Sequence, residues 1–181
     1  MKKVLILFGS RYRTSKDTSE KIRDFLVKKE IEVSLVNINE EEPSLSGFDG
    51  VLIGTGIKIN RWTKRIKKFI KKHKKVLNSR EFKFGFFVNC GTASQKEKIS
   101  DAKRNYIDKK MQKIGLSYDI ADAFGPIYDF SENSSVSNMS KNIMREALIK
   151  EEGWEKVDNI LYDLRDMDQI KTFAENFSEL F

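Results

Sequence analysis

Val4-Leu5-Ile6-Leu7-Phe8-Gly9-Ser10-Arg11-Tyr12-Arg13-Thr14-Ser15 is the stretch on which the fold turns. Five consecutive apolar residues closed by a glycine suit a strand buried on both faces. The run is shorter than the roughly 7–15 apolar residues of a signal peptide, so a first strand is the better reading. A hydroxyl-rich turn follows, and then Ile22, Phe25 and Leu26 recur at helical spacing with charges between them. Strand, polar turn and amphipathic helix together make the first half of a βαβ unit.

Outward from this unit the same alternation repeats. Glu32 to Ile38 reads as a second strand, Val51-Leu52-Ile53 as a third closed by Gly54-Thr55-Gly56, and Phe82 to Val88 as a fourth ending in Asn89-Cys90-Gly91-Thr92. Trp62, Ile66, Phe69, Ile70 and Leu77 form one apolar stripe of a basic helix. Ile99, Ala102, Tyr106, Ile107, Met111 and Ile114 mark a long helix that stops at Gly115. Tyr118 to Ile127 holds a fifth strand, interrupted by Gly125-Pro126. Met139, Ile143, Met144, Ala147 and Leu148 suggest an extra helix, Ile160 to Leu164 a short extended piece, and Met167, Ile170, Phe173, Ala174 and Phe177 the last helix. Strands alternating with helices imply parallel pairing through right-handed crossovers. The expected architecture is α/β: a doubly wound, five-stranded parallel sheet of order 2-1-3-4-5 with helices on both faces. The expected organisation is one domain over 1–181, with an insertion at about 128–158.

Composition limits the chemistry. With 181 residues, 39 % of them hydrophobic, the chain can cover both faces of such a sheet. Its single cysteine, Cys90, permits no internal disulfide and agrees with a reducing, cytoplasmic location. The net charge of +7 comes from one segment. Lys58 to Lys75 carries ten basic residues and no carboxylate, while outside it 24 basic residues meet 27 acidic ones. Such a segment is either a solvated face or a surface for an acidic redox partner, an anionic membrane or nucleic acid.

Ligands of doubly wound sheets sit beyond the carboxyl ends of the strands, at the switch point between strands one and three. After strand one stand Ser10, Arg11, Tyr12, Arg13, Thr14 and Ser15, then Thr18 and Ser19. Hydroxyls beside the unpaired amides of a helix start make a phosphate site, unless Thr14 or Ser15 is merely an N-cap. After strand three come Thr55, Gly56, Ile57, Lys58, Ile59 and Asn60, where glycine permits close backbone approach. Trp62 can cover a flat ring, but its phase with Ile66 and Phe69 favours the core. After strand four, the backbone of Asn89, Cys90, Gly91 and Thr92 can read the edge of a heteroaromatic ring or form an ordinary turn; for the Cys90 side chain, packing is favoured. Other chemistries fit worse. The first turn lacks Gly-x-Gly-x-x-Gly, and no Gly-x-x-x-x-Gly-Lys-Ser/Thr occurs. Strands one and three end without the carboxylates of a phospho-receiver. The only histidine, His73, lies in the lysine run, which disfavours metal sites and histidine triads.

Several stretches carry a resemblance. They are Val4 to Tyr12, Phe48-Asp-Gly-Val-Leu-Ile-Gly54-Thr-Gly-Ile-Lys58, Phe69 to Asn78, Phe84-Gly-Phe-Phe-Val-Asn89, and Arg165 to Ala174. On these the chain resembles flavodoxin-like proteins, most closely the group containing the menaquinone-dependent protoporphyrinogen dehydrogenases. The resemblance implies FMN, with Ser10, Tyr12, Thr14 and Ser15 in the phosphate loop. Thr55 to Asn60 would flank one side of the isoalloxazine ring and Asn89 to Thr92 the other. Arg13 departs from the pattern, which has glycine there. Tyr128 to Gly153 also departs, with two aromatics only, so transfer of a porphyrinogen or quinone activity is weak. The expectation is an FMN-binding electron carrier or oxidoreductase with a redox protein partner, acidic in character. Peripheral contact with an anionic membrane is a second expectation, and specific nucleic-acid binding is not expected. A quinone-linked dehydrogenase and a flavin-free binding module are the alternatives.

Overall fold

A computed structural model of the chain describes residues 1–10, 13–150 and 152–181. Residues 1–126 and 165–181 form one compact unit and residues 127–164 another.

The larger unit is built on β1 (Lys3–Gly9), β2 (Glu32–Asn37), β3 (Gly50–Lys58), β5 (Lys83–Asn89) and β6 (Ile120–Phe124). These strands are all parallel, in the order β2-β1-β3-β5-β6. This is the expected 2-1-3-4-5 order, with one addition. Strand β4 (Arg61–Trp62) folds back antiparallel on β3, pairing Ile57 with Trp62 and Lys58 with Arg61. The sequence reading had placed Trp62 on the basic helix. The structure starts that helix, α2, at Lys64–Leu77 instead, because the two-residue turn Ile59–Asn60 returns the chain along β3 first.

Successive side chains of a strand point to opposite faces, and the continuous apolar runs supply both. Leu5, Leu7, Val51, Ile53, Phe84, Phe86 and Val88 pack under α2 and the 99–114 helical segment. Val4, Ile6, Leu52, Phe87 and Phe124 pack under α1 (Thr14–Val27) and α6 (Met167–Ser178). Gly54 is needed for this second layer. A Cβ there would stand 2.1 Å from the Phe87 ring, so only glycine lets that ring lie flat across β3.

The long helix anticipated at 99–114 is interrupted. It runs as α3 (Ile99–Lys103), a π-helical turn (Arg104–Asp108) and α4 (Lys109–Ile114), which ends on Gly115 in the left-handed conformation. Lys103 and Asp108 pair at 3.2 Å with the i,i+5 spacing of a π-turn, and the Tyr118 hydroxyl donates to the same Asp108 Oδ1 at 2.7 Å. This cluster holds the turn open. Such bulges recur at functional sites.

In the smaller unit, β7 (Ile127–Asp129) pairs antiparallel with β8 (Leu161–Asp163), and α5 spans Asn138–Lys150. Phe130 is its buried centre, with Tyr162 edge-on at 6.1 Å and the Arg145 guanidinium over its ring at 4.9 Å. No described helix of the chain is long and apolar enough to cross a membrane.

Candidate functional site

The carboxyl ends of β1, β3, β5 and β6 converge at the first turn of α1. Thr14, Ser15, Thr18 and Ser19 are all buried there, on the helix face turned to the sheet. Ser19 Oγ donates to the Ser15 carbonyl at 2.7 Å. Asn89, at the end of β5, donates through Nδ2 to Thr18 Oγ1 and to the Gly125 carbonyl, each at 3.0 Å. Arg165 donates to the same Thr18 oxygen at 3.1 Å. Gly56 lies in register with Asn89, and a Cβ on Gly56 would have Ser15 Oγ as its nearest neighbour at 3.7 Å.

Two polar atoms in this ring lack partners among the described residues. Ser15 Oγ, in a residue 1 % exposed, makes no hydrogen bond, and neither does Asn89 Oδ1. A buried polar group left unpaired costs roughly 1–3 kcal/mol. Both orphans lie where the strand ends meet the start of the 14-residue helix α1, the end at which a helix carries partial positive charge. Short hydroxyls, the positive end of a helix and an uncrowded glycine suit a phosphate-bearing ligand.

The structure treats the predicted residues unequally. Ser15, Gly56 and Asn89 come together, with Thr14 buried in the same first turn of α1. Ser10 is held from the side, its carbonyl accepting from Asn39 Nδ2 at 3.2 Å. Arg11 and Tyr12 lie outside the described residues. Arg13 adopts φ 61° and ψ −37°, a conformation in which a glycine would be unstrained. Its side chain is mostly exposed and pairs with Asp17 at 3.1 Å. Thr55 turns into the sheet rather than outward: its Oγ1 accepts from Thr63 N–H and lies 3.1 Å from Thr63 Oγ1, fixing the start of α2. Ile57 and Lys58 end β3. Ile59 and Asn60 form the hairpin tip, with φ 48° and 56°. Gly91 and Thr92 sit in a 3₁₀ turn (Gly91–Ser94). Cys90 is buried in the core, and burial pushes its thiol up to about 11 against the pull of the Ala93 and Thr92 amides. It is a packing residue whose backbone, not its sulfur, borders the site.

Tyr106 escaped the sequence reading, which saw only an apolar position on a helix. From the π-turn its carbonyl accepts the Trp62 indole N–H at 2.7 Å and its hydroxyl lies 3.4 Å from Thr92 Oγ1. It thus ties the β3–β4 hairpin to the β5 loop. Trp62 packs against Phe86, with ring centres 4.8 Å apart, so it serves the core.

Comparison with known proteins agrees with the fold. Residues 5–158 match the flavodoxin domain. The protoporphyrinogen IX dehydrogenase (quinone) of Escherichia coli strain K12 is 30 % identical over 108 residues, and the O157:H7 protein of the same name matches equally. Each match spans 59 % of this chain and about three fifths, 59 %, of the relative. Among solved structures, oxidised flavodoxin 1 of Bacillus cereus superposes with a TM-score of 0.59 at 12 % identity, covering 99 % of both chains. The Fusobacterium nucleatum flavodoxin bound to flavin mononucleotide gives 0.54 at 12 % identity, over 100 % of this chain and 99 % of that one. At such identities the structures speak for the fold, and the domain match, which spans most of the chain, speaks for the family: this chain belongs to the flavodoxin domain family.

Proposed function

We propose that the chain binds one FMN and serves as a redox protein. The observation that carries this reading is the unpartnered, buried Ser15 hydroxyl at the start of α1. The residues present fit the cofactor. The α1 amides with Thr14 and Ser15 would take the phosphate. Gly56 leaves room beside them, and the backbones of Ile57 to Asn60 and Asn89 to Thr92 would border the ring. FMN when bound supplies the electron transfer itself; the protein sets its access and its surroundings. Burial favours the protonated thiol of the neighbouring Cys90. Electrons would pass to or from a redox protein, with an acidic partner or an anionic membrane as the forms suited to the cationic helix. A cytoplasmic location belongs to the same reading, as does a single flavodoxin-like domain over 1–181 with an insertion at about 128–158.

A quinone-linked dehydrogenase is the second reading. It rests on the name of the E. coli relatives, matched over 59 % of their length. Titration of flavin-free protein with FMN, FAD and riboflavin, followed by stepwise reduction, tests the first reading. One FMN per chain, held more tightly than FAD, is expected. A protein that refuses every flavin is a binding module on the same fold. Turnover of protoporphyrinogen with a quinone, absent from a heat-treated control, would favour the second reading.

A further inference from the structure

Helix α2 has two unlike flanks. On one, Lys72 and His73 share Glu42, at 2.5 and 3.1 Å, and Arg65 donates to the Ile38 carbonyl at 3.4 Å. The other flank faces α4, and there cations meet cations. Lys74 Nζ lies against the end of α4, 3.2 Å from where a Gly115 Cβ would stand. Lys110 of α4 donates to the Asn60 carbonyl at 2.6 Å. Burial, then the charges of Lys67, Arg61 and Lys113, press its pKa down. Positions 64, 67, 71 and 74 fall at i,i+3 and i,i+4 spacing, so they make one stripe. Among the described residues no carboxylate pairs with Lys64, Lys67, Lys71, Lys74, Lys110 or Lys113.

This arrangement is costly. Like charges one turn apart repel by a few tenths of a kcal/mol each. Lys64 and Arg65 also sit in the first turn of α2, where the helix dipole opposes cations and no acidic residue offsets them. One glutamate on the stripe would relieve the strain, as Glu42 does on the opposite flank.

The stripe runs to an apolar tip. The two-residue turn Ile59–Asn60 has positive φ at both positions, a geometry that asparagine tolerates and a β-branched residue resists. Ile59 is nevertheless there and is 81 % exposed. The carbonyl of its neighbour is held by Lys110, and Arg61 follows directly. An apolar contact ringed by one sign of charge, at the rim of a cofactor site, has the composition of a small transient interface.

We infer that the composite face of α2, α4 and the β3–β4 hairpin docks an acidic redox protein, with Ile59 at the centre and the lysine stripe as its rim. The inference rests on the flavin reading of the adjoining site. A lipid surface fits less well. An interfacial helix lays its apolar side into the bilayer, whereas Ile66, Phe69 and Ile70 of α2 are buried in the core, and among the described residues of α2 and the hairpin only Ile59 and Val76 are large apolar side chains that stand exposed.

The test uses the full chain and direct binding by calorimetry, with three probes: an acidic [2Fe–2S] ferredoxin, basic cytochrome c, and phosphatidylglycerol–phosphatidylcholine vesicles. Ferredoxin binding is expected to be strongest and to weaken steeply with salt. Lys64→Gln, Lys67→Gln, Lys71→Gln and Lys113→Gln together should weaken it by about tenfold or more at low salt, with a melting temperature unchanged or raised as the repulsion is relieved. A control with the same charge change on the α1–α6 side, at Lys21, Lys28, Lys29 and Lys171, should move it less than about twofold. Equal loss in both variants would reduce the effect to net charge and overturn the inference. So would vesicle binding in preference to ferredoxin, or ferredoxin binding that neither variant alters. FMN titration of the same variants separates the two readings: ferredoxin docking on a chain that refuses FMN leaves the surface standing and removes the flavin, and the reverse result removes the surface alone.

Discussion

Helices α1 and α2 both begin beyond the carboxyl end of a parallel strand in one sheet, yet their first turns are built in opposite ways. α1 opens on buried hydroxyls, Thr14 and Ser15, with Asp17 as its acidic residue. α2 opens on exposed Lys64 and Arg65, with no acid. The macrodipole favours anions at both starts and cations at neither. Hydroxyls and amides act only on contact, whereas a row of lysines acts over a Debye length of about 8 Å. On the proposed function and docking surface, the difference would separate close recognition from long-range attraction, and give the two tasks to helices on opposite faces of the sheet.

The largest effect should come from stripping α1 of its contacts. Thr14→Ala with Ser15→Ala should weaken FMN binding by tenfold or more, since a hydrogen bond to a charged group is worth about 1.5–3 kcal/mol. Riboflavin, lacking the phosphate, should bind as before. Parallel titrations of both flavins check this, and equal losses would place the phosphate elsewhere. Ser15→Ala alone should leave the melting temperature of the flavin-free protein unchanged or raise it, because the hydroxyl it removes has no partner to lose.

Next in size is a disturbance of α2 that spares α1. A Cβ at Gly9 would stand 2.6 Å from Thr63 Oγ1 and 2.7 Å from Ile66 Cγ1. Gly9→Ala should therefore cost about 1–3 kcal/mol in chemical denaturation, as overpacked cores do. It should also loosen amide protection at the start of α2 more than at the start of α1. An unaltered unfolding midpoint would mean that Thr63 yields freely and is no anchor.

Smaller again is the strain carried into α1 by Arg13. Relief of its positive φ by Arg13→Gly should stabilise the flavin-free protein by about 1 kcal/mol, less the exposed pairing with Asp17, which contributes little. Arg13→Ala removes the same ion pair and keeps the strain, so a higher melting temperature for glycine than for alanine is the expected signature.

The effect smallest at neutral pH, and visible only in alkali, concerns Cys90, just past the end of β5. Its thiol is raised from an ordinary value of 9.0 to about 11 by burial. The native state thus prefers the protonated form. Its stabilising contribution is complete below the unfolded value and declines as pH rises towards the folded one. Stability should fall between about pH 9 and 11 in the parent and fall less in Cys90→Ala. Native protein should resist iodoacetamide at pH 8, where unfolded protein reacts.

The sequence by itself determined whatever depends on neighbours along the chain. The apolar runs at Val4–Phe8 and Phe84–Val88 are too continuous for one-sided strands, so a doubly covered parallel sheet was legible, and its order with it. The clustering of Thr14, Ser15, Thr18 and Ser19 at the start of one helix was legible because hydroxyls at a helix start have a local reason to be there. Tertiary structure alone decided the rest. Trp62 has helical phase with Ile66, but pairing with Ile57 across a two-residue turn outweighs that phase and makes it a strand residue. The π-turn that hands the Tyr106 carbonyl to Trp62 depends on Asp108 meeting Tyr118 ten residues on, a contact no periodicity encodes. Lys110 and Lys113 read as ordinary solvated charges until α4 lies beside α2 and joins them to a stripe more than thirty residues earlier in the chain. Nor does any local pattern say that the Ser15 hydroxyl is left without a partner: that depends on which groups of three separate strands stop short of it, and strand ends are brought together only by the register of the sheet.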